Sequence, residues 1–190
     1  VTFSGAGSTL DSDATARAFS ITSNGAVAFN GAVGESSSGA QGLKSLSVST
    51  TGTTSLAANI RTADVADNDV TISSAVSLTG PVTVNTDRST NDGDVSITGA
   101  VNGAQAFTVT AGGGAATFGS TIGATTPVGS LTASASTVTL GGNISTANGA
   151  VELSGASAVI LAANTTIDTD PTGGSAAAGA VNFGSATVNG

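Results

Sequence analysis

The chain has 190 residues, 12 acidic and four basic, a net charge of −8, and no Cys, His, Met, Trp or Tyr. Without Cys there are no disulfides, zinc–thiolate sites or thiol redox chemistry, and without His or Cys no Ser–His or Cys–His nucleophile pair. The acidic balance, the four cations Arg17, Lys44, Arg61 and Arg88, and the scarcity of stacking aromatics argue against nucleic acid.

No apolar run is long enough for a membrane helix, so this segment is expected not to insert into a membrane. The share of Val, Leu, Ile and Phe lies just above the level that signals disorder. Charge is sparse and the apolar residues are patterned, which favours a folded chain. Helix is disfavoured, because Gly, Ser, Thr, Asn and Val dominate and no helical period is sustained.

Val1-Thr2-Phe3 opens in the middle of a strand-like pattern, so the sequence reads as a mature product or a piece of something longer. Period-two alternation follows at Phe19-Ser20-Ile21-Thr22, Leu46-Ser47-Val48-Ser49, Val70-Thr71-Ile72-Ser73, Val95-Ser96-Ile97-Thr98, Phe107-Thr108-Val109-Thr110 and Val151-Glu152-Leu153-Ser154. Each stretch sets two apolar residues on one face of a strand and small polar ones on the other. Gly, Asn and Asp clusters separate the stretches, as turns require.

The strands come in threes. Phe19/Ile21 leads to Val27/Phe29 and Val33, Leu46/Val48 to Leu56 and Ile60, and Val70/Ile72 to Val76/Leu78 and Val82/Val84. Val151/Leu153 leads in the same way to Val159/Leu161 and Ile167. Groups begin at 19, 46, 70 and 95, and again at 131, 151 and 181. Repeats of this size predict a solenoid. The expected fold is an all-β, right-handed parallel β-helix (β-solenoid) of about three short strands per coil and roughly 7–8 coils. One such segment fills residues 1–190, a rod on the order of 35–40 Å long. The register between Val95 and Leu131 stays open, since the strands at Phe107 and Phe118 fit one coil or two.

Val1-Thr2-Phe3-Ser4-Gly5-Ala6 and Val181-Asn182-Phe183-Gly184-Ser185-Ala186 carry the same strand type, and neither reads as a cap. Uncapped coils predict neighbouring repeats or end-to-end self-association.

The stretches Gly25-Ala26-Val27-Ala28-Phe29-Asn30-Gly31-Ala32-Val33-Gly34, Gly42-Leu43-Lys44-Ser45-Leu46-Ser47-Val48 and Thr126-Pro127-Val128-Gly129-Ser130-Leu131-Thr132 resemble the repeats of giant bacterial surface proteins. These are the filamentous-haemagglutinin-like adhesins and related β-strand-repeat proteins. The resemblance spans nearly the whole chain, through motifs low in information. It implies secretion to the bacterial cell surface, rods of right-handed parallel β-helix, adhesion or biofilm roles, and no active site.

Paired carboxylates are the chemical groups that stand out: Asp11/Asp13, Asp64/Asp67/Asp69, Asp92/Asp94 and Asp168/Asp170. Asp67, Asp69, Asp92 and Asp94 could hold calcium through hard oxygen ligands. Neither a Gly-Gly-x-Gly-x-Asp repeat nor a complete EF-hand loop accompanies them, and Asp in turns that keep a low-charge rod soluble is the simpler reading. Such pairs also serve glycosidases, but here they are scattered, without Tyr or Trp to hold a sugar. The expectation is therefore no enzyme, no cofactor and no catalytic residue.

Ser20/Thr22, Ser47/Ser49, Thr71/Ser73, Ser96/Thr98 and Thr108/Thr110 are expected to stack as outer rows of one sheet. Such an array could bind ice or glycan, whereas Ser and Thr that merely suit a wet strand face need no ligand. Ala111-Gly112-Gly113-Gly114-Ala115 lacks the Lys-Ser/Thr of a phosphate loop and reads as a loose corner. The longer connections around Gly34–Gly42, Arg61–Asp69 and Asp168–Gly179 are the expected places for a binding patch on a host or cell surface.

Overall fold

A computed structural model of the chain describes residues 1–4, 9–34, 42–173 and 177–190. The chain is a parallel β-solenoid. Its short strands rotate over three faces, and each strand pairs with its counterpart in the next coil. The first face holds eight strands: Ala18–Ser23, Ser45–Thr50, Val70–Ile72, Val95–Ile97, Ala115–Phe118, Thr137–Leu140, Ala158–Leu161 and Thr187–Asn189. The second runs from Thr2–Phe3 through Val27–Phe29, Thr54–Leu56 and Val76–Leu78 to Val101–Asn102. It continues by single bridges at Ile122 to Ile144–Ser145 and Ile167–Asp168. The third holds Ile60–Arg61, Val82–Asn85, Ala106–Thr110, Ser130–Ser134, Val151–Glu152 and Val181–Asn182.

Register turns the alternation into a core. On the first face Phe19, Leu46, Val70, Val95, Ala116, Val138 and Val159 form one inward ladder. Ile21, Val48, Ile72, Ile97, Phe118 and Leu140 form the next. Val82, Phe107, Leu131 and Val151 do the same on the third face. Most of these side chains are fully buried, and fully burying a Val, Leu, Ile or Phe stabilises the fold by about 1.5–3 kcal/mol. A slip of one position would turn every one of them outward.

The first inward ladder meets the chain at 19, 46, 70, 95, 116, 138, 159 and 188, so the coils are unequal, the first and last of these intervals being the longest. The excess lies in connections, part of which (35–41 and 174–176) falls outside the described residues. The expected patches at Gly34–Gly42 and Asp168–Gly179 therefore lie largely or partly outside them.

This variation explains two differences from the sequence reading. Phe107 and Phe118 belong to two coils. Phe107 ends one on the third face and Phe118 begins the next on the first face, and their rings meet edge-on at 6.2 Å and 73°. The group starts at 131, 151 and 181 mark the third face, whereas 19, 46, 70 and 95 mark the first. The apparent change of period is a change of face. For the same reason Thr108/Thr110 do not share a row with Ser20, Ser47, Thr71 and Ser96. They stack between Thr83/Asn85 and Thr132/Ser134 on the third face. The first-face row continues instead through Thr117 and Thr139.

Thr54 occupies an inward position between Val27 and Val76, where alternation alone places an apolar residue. It is fully buried, and its hydroxyl pairs with that of Ser74 at 2.7 Å. A buried hydroxyl needs such a partner.

Leu131→Ala should cost about 2–5 kcal/mol in urea unfolding, because its side chain is fully buried in the third-face ladder. Thr132→Ala, the next position along and on the outer side, should stay within about 0.5 kcal/mol.

Candidate functional site

The chemistry of the chain gathers where the third face turns back to the first. Successive connections at 62–69, 86–94 and 111–114 stack there, and each acidic side chain that serves the stack reaches the coil beyond its own. Asp64 accepts the backbone N–H of Thr90 at 3.2 Å and of Asn91 at 2.9 Å, the Asn91 side-chain amide at 3.1 Å, and the Ser89 hydroxyl. Asp69 accepts the N–H of Asp94 at 2.9 Å, and Asp94 that of Ala115 at 2.7 Å. Asp92 accepts the N–H of Arg88 at 3.0 Å and of Gly113 at 2.8 Å. Asn does the same at other corners: Asn59 accepts from Thr83, Asn102 from Thr125, and Asn143 from Thr166.

The reason is local. At a corner the backbone leaves the ladder geometry, so N–H groups lose their strand partners and must find others. A short acidic or amide side chain one coil below is at the right height to accept them.

Charge-assisted bonds of this kind hold the acids ionised. Donation from Ser89 and Asn91 brings Asp64 down to about 2. The Gly113 and Arg88 N–H groups lower Asp92. On the first coil, Arg17 and the Thr15 N–H lower Asp13.

Asn68 ties two of the connections together. It is fully buried, and its amide nitrogen lies 3.0–3.3 Å from the carbonyls of Ala63, Thr86 and Asn91 and the Thr62 hydroxyl. Nothing in the strand pattern singles it out. Its position between Asp67 and Asp69, in a turn that must bury polar backbone, is the available signal.

Ala111–Ala115 is a tight turn, not a loose corner. Gly114 donates to the Ala111 carbonyl at 2.8 Å, and Gly112 has φ 56°. Its left-handed φ favours glycine, and a Cβ there would fall 2.8–2.9 Å from the Asp92 and Asp87 carboxyl carbons, so those side chains would have to shift.

The four calcium candidates are thereby placed. Asp67, with φ 57°, pairs with Lys44 at 3.4 Å. Asp69, Asp92 and Asp94 serve the next coil as described. Among the described residues no group of three or more acidic side chains has the arrangement to hold a metal ion. Asp11 and Asp13 lie on the first coils, and Asp168 and Asp170 on the last, where Asp11, Asp13 and Asp168 cap local turns.

On the third face, Asn59, Ile60, Arg61, Thr83 and Asn85 line a shallow groove of about 340 Å³. From Thr83 the hydroxyl row runs to Thr108 and Thr132, one coil at a time.

No protein-family model, curated protein or solved structure matches the chain. The fold alone places it with solenoid-repeat proteins in general, an architecture compatible with structural, adhesive or ligand-binding roles.

Two outcomes follow from the acid ladder. Asp64 is lowered in the folded chain, so its stabilisation is complete above the unfolded carboxyl value of about 3.9. It is lost as pH falls through about 2. In urea unfolding from pH 5 to pH 2, the gap between the wild type and Asp64→Asn should close toward the acid end. Calorimetric titration with calcium should give no saturable heat and no rise in melting temperature, because each candidate carboxylate already accepts an N–H group or faces Lys44 through one of its oxygens, and they do not gather into one site.

Proposed function

We propose that the chain is a rod-forming segment of an extracellular, bacterial cell-surface protein, structural and adhesive in role and not enzymatic. The observation that carries this reading is the continuity of the coil-to-coil ladder. Each coil presents the same paired edges and inward side chains as the one before, so length is added without any change of design. Val181 and Val188 stand in register above the buried Val151 and Val159, yet are 42% and 47% exposed. A further coil, from neighbouring repeats or a second copy, would cover them as the others are covered. The repeats quoted above for their likeness to filamentous-haemagglutinin-like adhesins support surface display and adhesion. The absence of His and Cys from the sequence supports a non-catalytic role.

A second reading is ligand binding on the outer hydroxyl rows. The in-register Thr83–Thr108–Thr132 row favours it, since regularly spaced hydroxyls suit a glycan or an ice surface.

Electron micrographs of the purified chain should show discrete rods about 35 Å long, or fibres of them joined end to end. Compact particles with no long axis would end the rod reading. Thermal hysteresis at millimolar protein would favour ice as the ligand of the rows, and its absence would leave glycan.

A further inference from the structure

The four cations divide into two kinds. Arg17 lies 3.1 Å from Asp13, and Lys44 lies 3.4 Å from Asp67. Arg61 and Arg88 form no ion pair among the described residues, and the Nε of each is buried without an acceptor. The two are neighbours. Arg61 is paired across the ladder with Asn85, and Arg88 follows shortly after Asn85 in the chain. Burial, and then the positive charge of Arg61, lowers the pKa of Arg88.

Two guanidiniums so placed repel each other, and a protein of net charge −8 has acids to spare for separating them. The acids whose charge Arg88 feels are Asp64 and Asp87. Asp64 is committed to Ser89, Thr90 and Asn91, and among the described residues neither Asp64 nor Asp87 forms an ion pair with Arg88. The guanidiniums are left with charge and donors but no acceptor. Beside them, in the groove lined by Arg61, the Asn85 Oδ1 is also buried without a partner. The groove opens onto the Thr83–Thr108–Thr132 row.

We propose that Arg61 and Arg88 hold the carboxylate of an acidic polysaccharide, whose hydroxyls lie along the adjoining threonine row. Arginine's planar fork matches a carboxylate. The Asn85 Oδ1 would accept a hydrogen bond from a sugar hydroxyl. The surrounding acids, Asp64, Asp87 and Asp92, repel a densely charged polyanion and leave room for one with widely spaced carboxylates. The sugar part of this proposal rests on the ligand-binding reading above, whereas the anion part stands on the two arginines.

The test is calorimetric titration of the full chain with a uronic-acid oligosaccharide, the neutral oligosaccharide of the same length, and inorganic sulfate. The uronate should bind at least about tenfold more tightly than the neutral sugar, and Arg61→Gln and Arg88→Gln should each weaken it by about tenfold, the worth of one charge-assisted bond. Arg17→Gln should leave binding unchanged. Arg61→Lys and Arg88→Lys, which keep the charge, should bind between the wild type and the Gln variants, and they serve as the test if a Gln variant melts early. Equal binding of acidic and neutral sugars, no binding of either, or indifference to both arginines would overturn the proposal. Sulfate binding as tightly as the uronate would overturn the polysaccharide assignment. Intact rods in micrographs without uronate binding would defeat this inference and leave the rod reading standing. Loss of rods would defeat the rod reading without bearing on the arginines.

Discussion

A single coil of this chain cannot bury its own inner face. Three short strands enclose a cross-section only a few side chains wide, and every inward Val, Ile, Leu or Phe needs the coils above and below to cover it. The parallel pairing of each strand with its counterpart in the next coil is thus the constraint on which the rest depends. It supplies hydrogen-bond partners for the strand backbone, and it places like side chain over like side chain. A core with only six Phe and no Trp or Tyr is sufficient because it is continuous along the rod.

The corners follow from the same constraint. Strand pairing ends wherever the chain bends, and the freed N–H groups are taken up by Asp or Asn from the coil below. Asp64, Asp69, Asp92 and Asp94 act in this way, as do Asn59, Asn102 and Asn143. Of the acids that suggested metal binding or sugar cleavage, Asp64, Asp69, Asp92 and Asp94 serve the stacking of connections, while Asp67 faces Lys44 and Asp11, Asp13 and Asp168 cap local turns. The amide nitrogen of buried Asn68 and the Thr54–Ser74 hydroxyl pair show the same economy inside the rod, where a polar group finds its partner in the adjacent coil or turn.

With these carboxylates committed, the outer surface offers hydroxyl rows, a few amides and two arginines without acceptors. A solenoid separates two tasks cleanly: inward positions serve the stack, while outward positions are free to vary coil by coil. Arg61, Asn85, Thr110 and Ser134 occupy one outward row in succession, although their inward neighbours remain apolar.

The sequence by itself determined the class of fold and most of the core. Period two assigns each residue to the inside or the outside of its strand, and that information is local. Ile72, Ile97 and Val109 were legible in this way, as were the connections through Asn91–Asp94 and Ala111–Ala115, though not the tightness of the second. Which face a strand joins is not local, because coils of unequal length let the same alternation fall on any of three sheets. Only the tertiary structure could separate Thr108 from Ser96, assign Phe107 and Phe118 to successive coils, and aim Asp64 at Asn91 on the next one. It also decided which two of four cations stand together without an acceptor. Their nearness depends on the pairing of Arg61 with Asn85 between adjacent coils, and strand alternation carries no trace of that.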